Sequence, residues 1–193
     1  MFYIKFQQMK NNTKKLIVIS GSSGVGKGTV IKSLMERHSD IKLSVSYTTR
    51  APRSGETAGI NYFYITKDEF KNAVNNDEFI EWAEFSGNFY GTKKSFVEES
   101  LKNNEHVLLE IDTQGALQIK EKMPDAVLIF INPPSYDELV ARLRGRKTES
   151  EDAIKKRLNF FEFEKENSKK FDHIIVNDTV ENAVNQIEEL IRL

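Results

Sequence analysis

The 193-residue chain contains no cysteine, which excludes a disulfide framework, a thiol nucleophile and a zinc–thiolate centre. The absence fits a reducing compartment, and a cytoplasmic protein is the expectation. No apolar run approaches the roughly 20 residues of a membrane span, and Met1–Phe6 lacks the apolar core of a secretory signal. Neither sign of charge dominates: 28 lysines and arginines face 29 acidic residues. Composition therefore calls for neither a long nucleic acid nor a membrane as partner, and leaves only a local anion site. His38, His106 and His173 have no ligand spacing and read as structural. Repeats and low-complexity tracts are also missing, and the length suits one domain with inserts.

Glycine, by contrast, is concentrated in one place. The run Gly21, Ser22, Ser23, Gly24, Val25, Gly26, Lys27, Gly28, Thr29 follows the apolar Leu16–Ile19 directly. Glycines let successive backbone N–H groups turn toward one anion, and the following helix presents its positive end to the same point. Lys27 adds a full charge near the β and γ phosphates. Val30, Ile31, Leu34 and Met35 recur at helical spacing behind the loop, so strand, loop and helix stand in the order a phosphate cradle requires. Gly28 occupies the position where many such loops carry a Mg²⁺-binding hydroxyl, and Thr29 comes one residue late. The metal role of Thr29 stays open.

Further β-branched runs at Val107–Ile111, Val127–Ile131 and His173–Val176, with a strand near Ile41–Val45, predict a doubly wound α/β sheet. The stripe Val180, Ala183, Val184, Ile187, Leu190, Ile191 predicts a closing helix, with Asp178 as its N-cap. Residues 44–92 alternate, as in Tyr62–Ile65, and predict a small mixed subdomain with short antiparallel strands. A helix carrying Leu139 and Leu143 runs into Arg144–Lys147, and Thr148 with Glu151 reads as a capping box for the next helix, which together suggest a lid. Residues 1–13 are expected to be an extension without fixed structure, with Met9 as an alternative start.

Phosphoryl transfer needs charge neutralised on the transferring oxygens. Arg142, Arg146 and Arg157 flank or lie within the lid and suit that task, although charge runs are usually a solvated face. Arg50 and Arg53, three apart around Pro52, suit a second phosphate. Tyr62 and Tyr90 either add phenol donors there or simply pack. Glu81 stands between large apolar residues and must find donors. Asp112 follows a hydrophobic strand, a usual place for a carboxylate near Mg²⁺ or its water shell, and Glu110 competes for that role.

Taken in register, Gly21–Lys27, Ser46–Arg53 with Gly55–Glu56, Phe79–Trp82, Phe89–Thr92, Glu110–Gly115, Arg142–Arg146 and Val176–Asp178 closely resemble the guanylate kinase family of nucleoside monophosphate kinases, from Leu16 to the C-terminus. The resemblance implies a three-layer P-loop NTPase fold with a parallel core sheet (14–43, 93–132 and 158–193), a mixed α/β GMP-binding insert (44–92) and a helical lid (133–157). It implies transfer of the γ-phosphoryl group of ATP to GMP, and to dGMP, with Mg²⁺ carried by ATP. Gly21–Gly28 and Thr29 would hold the ATP phosphates around Lys27, with Asn177 near the adenine. Arg50, Arg53, Tyr62 and Tyr90 would hold the GMP phosphate, and Ser46, Glu81 and Thr92 would read guanine with Asp112 nearby. Arg142, Arg146 and Arg157 would stabilise transfer. Two alternatives stand beside this reading. A guanylate-kinase-like binding module usually has a degraded phosphate loop, and a kinase for another monophosphate would not match the polarity of Ser46 and Glu81.

Overall fold

The computed structural model describes residues 14–145 and 151–191. The expected extension at 1–13, with Met9, and the lid positions Arg146 and Thr148 lie outside them. In chain order the elements are β1 (Leu16–Gly21), α1 (Lys27–Arg37), β2 (Ile41–Leu43), β3 (Tyr47–Thr48), β4 (Phe63–Tyr64), α2 (Lys67–Asn75), β5 (Phe79–Phe85), β6 (Asn88–Lys93), α3 (Lys94–Lys102), β7 (His106–Glu110), α4 (Thr113–Lys122), β8 (Val127–Asn132), α5 (Tyr136–Gly145), α6 (Glu151–Ser168), β9 (His173–Val176) and α7 (Val180–Ile191).

Five strands form an α/β sheet in the order β2–β7–β1–β8–β9, with β2 parallel to β7 and β8 parallel to β9. Every residue of β1 is buried, as is the interior of β7 and β8. Strands covered on both faces are read from continuous β-branched runs, which is why these are visible in the sequence. The carboxyl end of a central strand such as β1 is where open α/β sheets bind ligands.

Four strands form a second sheet, β4–β3–β6–β5. Here β3 and β5 run antiparallel to β6, in line with the expected short antiparallel strands, while β4 runs parallel to β3. Period-2 alternation identifies a strand and its faces but carries no information on the direction of its neighbour. Phe70, Ala73 and Phe79 form the core beneath this sheet, with Tyr47, Ile65, Val74 and Phe89 packed against it. A full capping box at Thr66 and Glu69 starts α2 and aims Phe70 inward.

The chain divides into two compact units. One takes in Asp40–Leu109 and Gln114–Ala126 with the start of β1. The other takes in Val18–Ser39, Glu110–Thr113 and the chain from Val127. In the second unit α7 starts one residue later than expected. Thr179 is its cap, its hydroxyl accepting from the Asn182 N–H at 3.2 Å, while Asp178 accepts from Thr179 N–H and the Asn182 amide. Glu181, in the first turn of α7, pairs with Arg37 of α1 at 2.5 Å.

Candidate active site

The phosphate loop leaves β1 at Gly21 and enters α1 at Lys27. Gly26 is the cap residue of α1 in a left-handed conformation (φ 94°, ψ 18°), with no side-chain cap and no acidic residue in the first turn. A helix start left uncapped by side chains offers its N–H groups to an anion. Ser23, Gly24, Gly26, Lys27, Gly28, Thr29 and Glu110 line a cavity of about 350 Å³ at this point. The Lys27 ammonium donates to the carbonyls of Gly21 (2.5 Å) and Ser22 (3.2 Å), so the charge is folded across the loop.

The back of the loop is braced. Buried Asn177 donates from Nδ2 to the Val25 carbonyl at 2.7 Å. Arg142 donates to the same carbonyl (3.3 Å) and to the Asn177 carbonyl (3.2 Å), while its Nε donates to Glu138 (3.0 Å). Arg157, on α6, donates to the Ser23 hydroxyl. Two of the three expected lid arginines therefore reach loop residues, and Arg146 is not among the described residues. A Cβ at Gly26 would stand 2.6 Å from Asn177 Nδ2. Gly26→Ala is therefore expected to destabilise the fold by about 2 kcal/mol or more, combining left-handed strain with a clash against a buried amide. Chemical denaturation checks this, and a loss below about 0.5 kcal/mol would show that the brace is not rigid.

No sequence signal singles out Glu164. It extends from α6 beside Lys27, Ser22 and Asp112. Burial pushes its carboxyl above the usual range, the Lys27 charge and the Ser22 hydroxyl pull it back, and the Asp112 charge adds to the rise. Asp112 and Glu110 both belong to this unit.

The other unit carries a second constellation. Glu81 on β5 and Thr92 on β6 are cross-strand partners, 3% and 0% exposed, and the Thr92 hydroxyl donates to Glu81 Oε1 at 2.6 Å. β5 is an edge strand, yet its backbone beside Glu81 is satisfied from α4. Lys122 donates to the Ile80 carbonyl at 2.5 Å, and Gln118 donates to the Trp82 carbonyl (2.8 Å) and accepts from its N–H (3.3 Å). The carboxylate is thus held on a strand with little freedom to slide. Ser46 is half-buried just before β3, its carbonyl accepting from Phe63 N–H at 2.9 Å.

Arg50, Tyr62 and Tyr90 converge. The Arg50 guanidinium lies over the Tyr62 ring at 5.4 Å, Tyr62 meets Tyr90 edge-on at 5.9 Å, and a Tyr90 hydrogen bond is one of the causes that raise the Arg50 pKa, after its bond to Glu56. Arg50 also donates to the Ala51 carbonyl at 2.7 Å and to both oxygens of Glu56 at 2.8 and 3.0 Å. Arg53 is exposed, and its N–H donates to Glu56 at 2.7 Å. Tyr64 donates to Glu56 at 2.9 Å. These partners, Arg50 foremost, hold the Glu56 carboxyl down at about 2.

A buried strand, a glycine loop and an uncapped helix closing on a lysine define a P-loop nucleotide-binding protein of the α/β class. Comparison with known proteins gives the particular family. The guanylate kinase family model matches residues 13–193, and the chain belongs to the guanylate kinase family. It is 49% identical over 181 residues to the guanylate kinase of Prochlorococcus marinus subsp. pastoris, covering 94% of this chain and 98% of that one. Against the guanylate kinase of Clostridium perfringens strain SM101 it is 50% identical over 182 residues, covering 94% and 84%. The crystal structure of guanylate kinase from Anaplasma phagocytophilum superposes with a TM-score of 0.77 at 36% identity, covering 93% of this chain and 85% of that one.

Proposed function

We propose that the protein transfers the γ-phosphoryl group of ATP to GMP, and to dGMP, giving ADP with GDP or dGDP. The observation that carries this reading is the buried Glu81 carboxylate, fixed by Thr92, in a chain that also keeps a complete phosphate cradle. Guanine presents N1–H and N2–H₂ side by side, which one carboxylate accepts together, and Ser46 supplies a hydroxyl for O6. Adenine turns an N1 lone pair toward the same carboxylate, setting acceptor against acceptor. Residues 44–92 are then the acceptor subdomain and 133–157 the lid.

Arg50, Arg53, Tyr62 and Tyr90 bind the acceptor phosphate. One of its oxygens attacks the γ phosphorus, the bond from that phosphorus to the β–γ bridging oxygen breaks, and ADP leaves with the electron pair. Residues 21–29 hold the ATP phosphates by backbone N–H groups and by the Lys27 charge, with Asn177 on the adenosine side. Arg142, Arg146 and Arg157 oppose the charge that spreads over the transferring oxygens. Asp112 and Glu110 stand at the end of β7. Among the described residues no cluster of three or more acidic, histidine or cysteine side chains could hold a metal by itself. Mg²⁺ favours phosphate oxygens and water with one or two protein groups; Thr29 and Glu110, which line the cavity, and Asp112 would be the residues available to its shell through water. Bound with ATP, Mg²⁺ neutralises phosphate charge.

No described helix is long and apolar enough to cross a membrane, and the absence of cysteine suits the cytoplasm. The test is ADP release by the purified protein with ATP and Mg²⁺ and, in parallel, GMP, dGMP, AMP, UMP or no acceptor. Turnover restricted to the guanine nucleotides is expected. Equal turnover with AMP would overturn the Glu81 reading, and GMP binding without turnover would leave a binding module.

A further inference from the structure

Of the two carboxylates at the candidate site that carried no expected role, Glu56 has the most specific surroundings. Its two oxygens accept four hydrogen bonds within 3.0 Å: two from Arg50 Nη2, one from the Arg53 backbone N–H and one from the Tyr64 hydroxyl. It closes the turn from Arg53, with its own N–H donating to the Arg53 carbonyl at 3.1 Å and Gly55 in the left-handed region at φ 84°. A glycine at that place is what a tight turn of this kind demands. The turn thereby delivers one carboxylate to the middle of a loop whose other charged members are both arginines.

An arginine that must meet a phosphate has five N–H donors and long, flexible torsions, and ordering it on binding is costly. Arg50 is already ordered. Glu56 fixes one terminal nitrogen, the Ala51 carbonyl fixes the other, and the Tyr62 ring covers the face. The same carboxylate fixes the Arg53 backbone. Glu56 would itself repel a phosphate, so its presence beside the clamp makes sense only through what it holds.

Resting on the reading of Arg50 and Arg53 as the acceptor-phosphate clamp, we propose that Glu56 is the positioning residue of that clamp, holding Arg50 and the Arg53 backbone in the phosphate-binding arrangement before the nucleotide arrives. Such a residue acts on the phosphate half of the acceptor and leaves recognition of the base untouched.

The experiment compares GMP with guanosine, which carries the same base without the phosphate, on the full chain and on Glu56→Ala, Glu56→Gln, Arg50→Ala and the Arg50→Ala, Glu56→Ala double variant. Glu56→Ala is expected to raise KM for GMP by about 10- to 100-fold, as loss of a charged hydrogen-bond partner does. Glu56→Gln, which can still accept from Arg53 and Tyr64, should lose less. The inhibition constant of guanosine and KM for ATP should stay within about twofold, and in the Arg50→Ala background Glu56→Ala should add clearly less than it costs in the wild-type chain, because only the Arg53 backbone is left for it to position. A KM for GMP within twofold of wild type, a parallel loss of guanosine affinity, or a full additional penalty in the Arg50→Ala background would each overturn the proposal. If Glu56→Ala does not fold, Glu56→Gln carries the same comparison. Should wild type bind GMP without turning it over, the reading as a kinase falls, while dissociation constants for GMP and guanosine still decide the role of Glu56.

Discussion

Replacing Lys27 by alanine is expected to lower kcat for ATP-dependent phosphorylation of GMP by about a thousandfold or more and to leave the folded state nearly unchanged. The two halves of that expectation come from different atoms. The loop is shaped by its backbone and by its neighbours: Val25 N–H donates to the Ser22 carbonyl, Thr29 and Val30 N–H donate to the Gly26 carbonyl, and Asn177 and Arg142 hold the Val25 carbonyl. None of these bonds uses the Lys27 side chain. Its ammonium bonds the Gly21 and Ser22 carbonyls from a half-buried position beside the cavity, where water can take its place. Transfer, however, moves negative charge onto the bridging oxygen of the departing ADP, and a fixed cation there acts on the transition state more than on bound ATP. Measured kcat should therefore collapse while the thermal midpoint moves little, and ATP binding should weaken less than turnover. Turnover close to wild type, with folding intact, would remove Lys27 from the mechanism.

Elements buried on both faces are legible because continuous apolar runs need no partner to be recognised. β1, β7, β8 and β9 fall where Leu16–Ile19, Val107–Ile111, Val127–Ile131 and His173–Val176 put them. Expectation and structure part where a tertiary neighbour decides. Residues 62–65 advertise a strand, but only the pairing of Phe63 with Tyr47 makes it parallel. Asp178 and Thr179 are both competent caps, and the one whose hydroxyl reaches Asn182 N–H wins. At the site, alternation puts Tyr62 and Tyr64 on one face, yet the sequence reading singles out only Tyr62, while it is Tyr64 that bonds Glu56. Glu56 is visible as a motif letter without a task, since its task is set by the turn that brings it back onto Arg50. Glu164 is one of several glutamates on a charged helix, and nothing local marks the one that faces Lys27. Charged side chains whose partners are distant in sequence carry no periodic signature.

Glu81→Gln is expected to lower kcat/KM for GMP by about a hundredfold to ten-thousandfold, with KM for ATP nearly unchanged. The substitution keeps volume and lets a carbonyl oxygen accept from the Thr92 hydroxyl as Oε1 now does, so it leaves the β5–β6 pair intact. Glu81→Ala would instead strand a fully buried hydroxyl and confuse binding with stability. What glutamine cannot do is accept from two adjacent donors. One of its two terminal atoms is an NH₂ group, which must face either N1–H or N2–H₂ of guanine, donor against donor. Adenine presents an N1 acceptor and a C2–H at the corresponding positions, so an NH₂ group suits it better than a carboxylate does, and the ratio of GMP to AMP turnover should fall further than GMP turnover alone. Steady-state rates with both nucleotides decide this. A lower GMP rate with an unchanged ratio would mean that Glu81 shapes the pocket without reading the base. A fallen ratio would tie selectivity to one buried carboxylate, whose orientation is set by Thr92 across the sheet and by Gln118 and Lys122 along the strand edge.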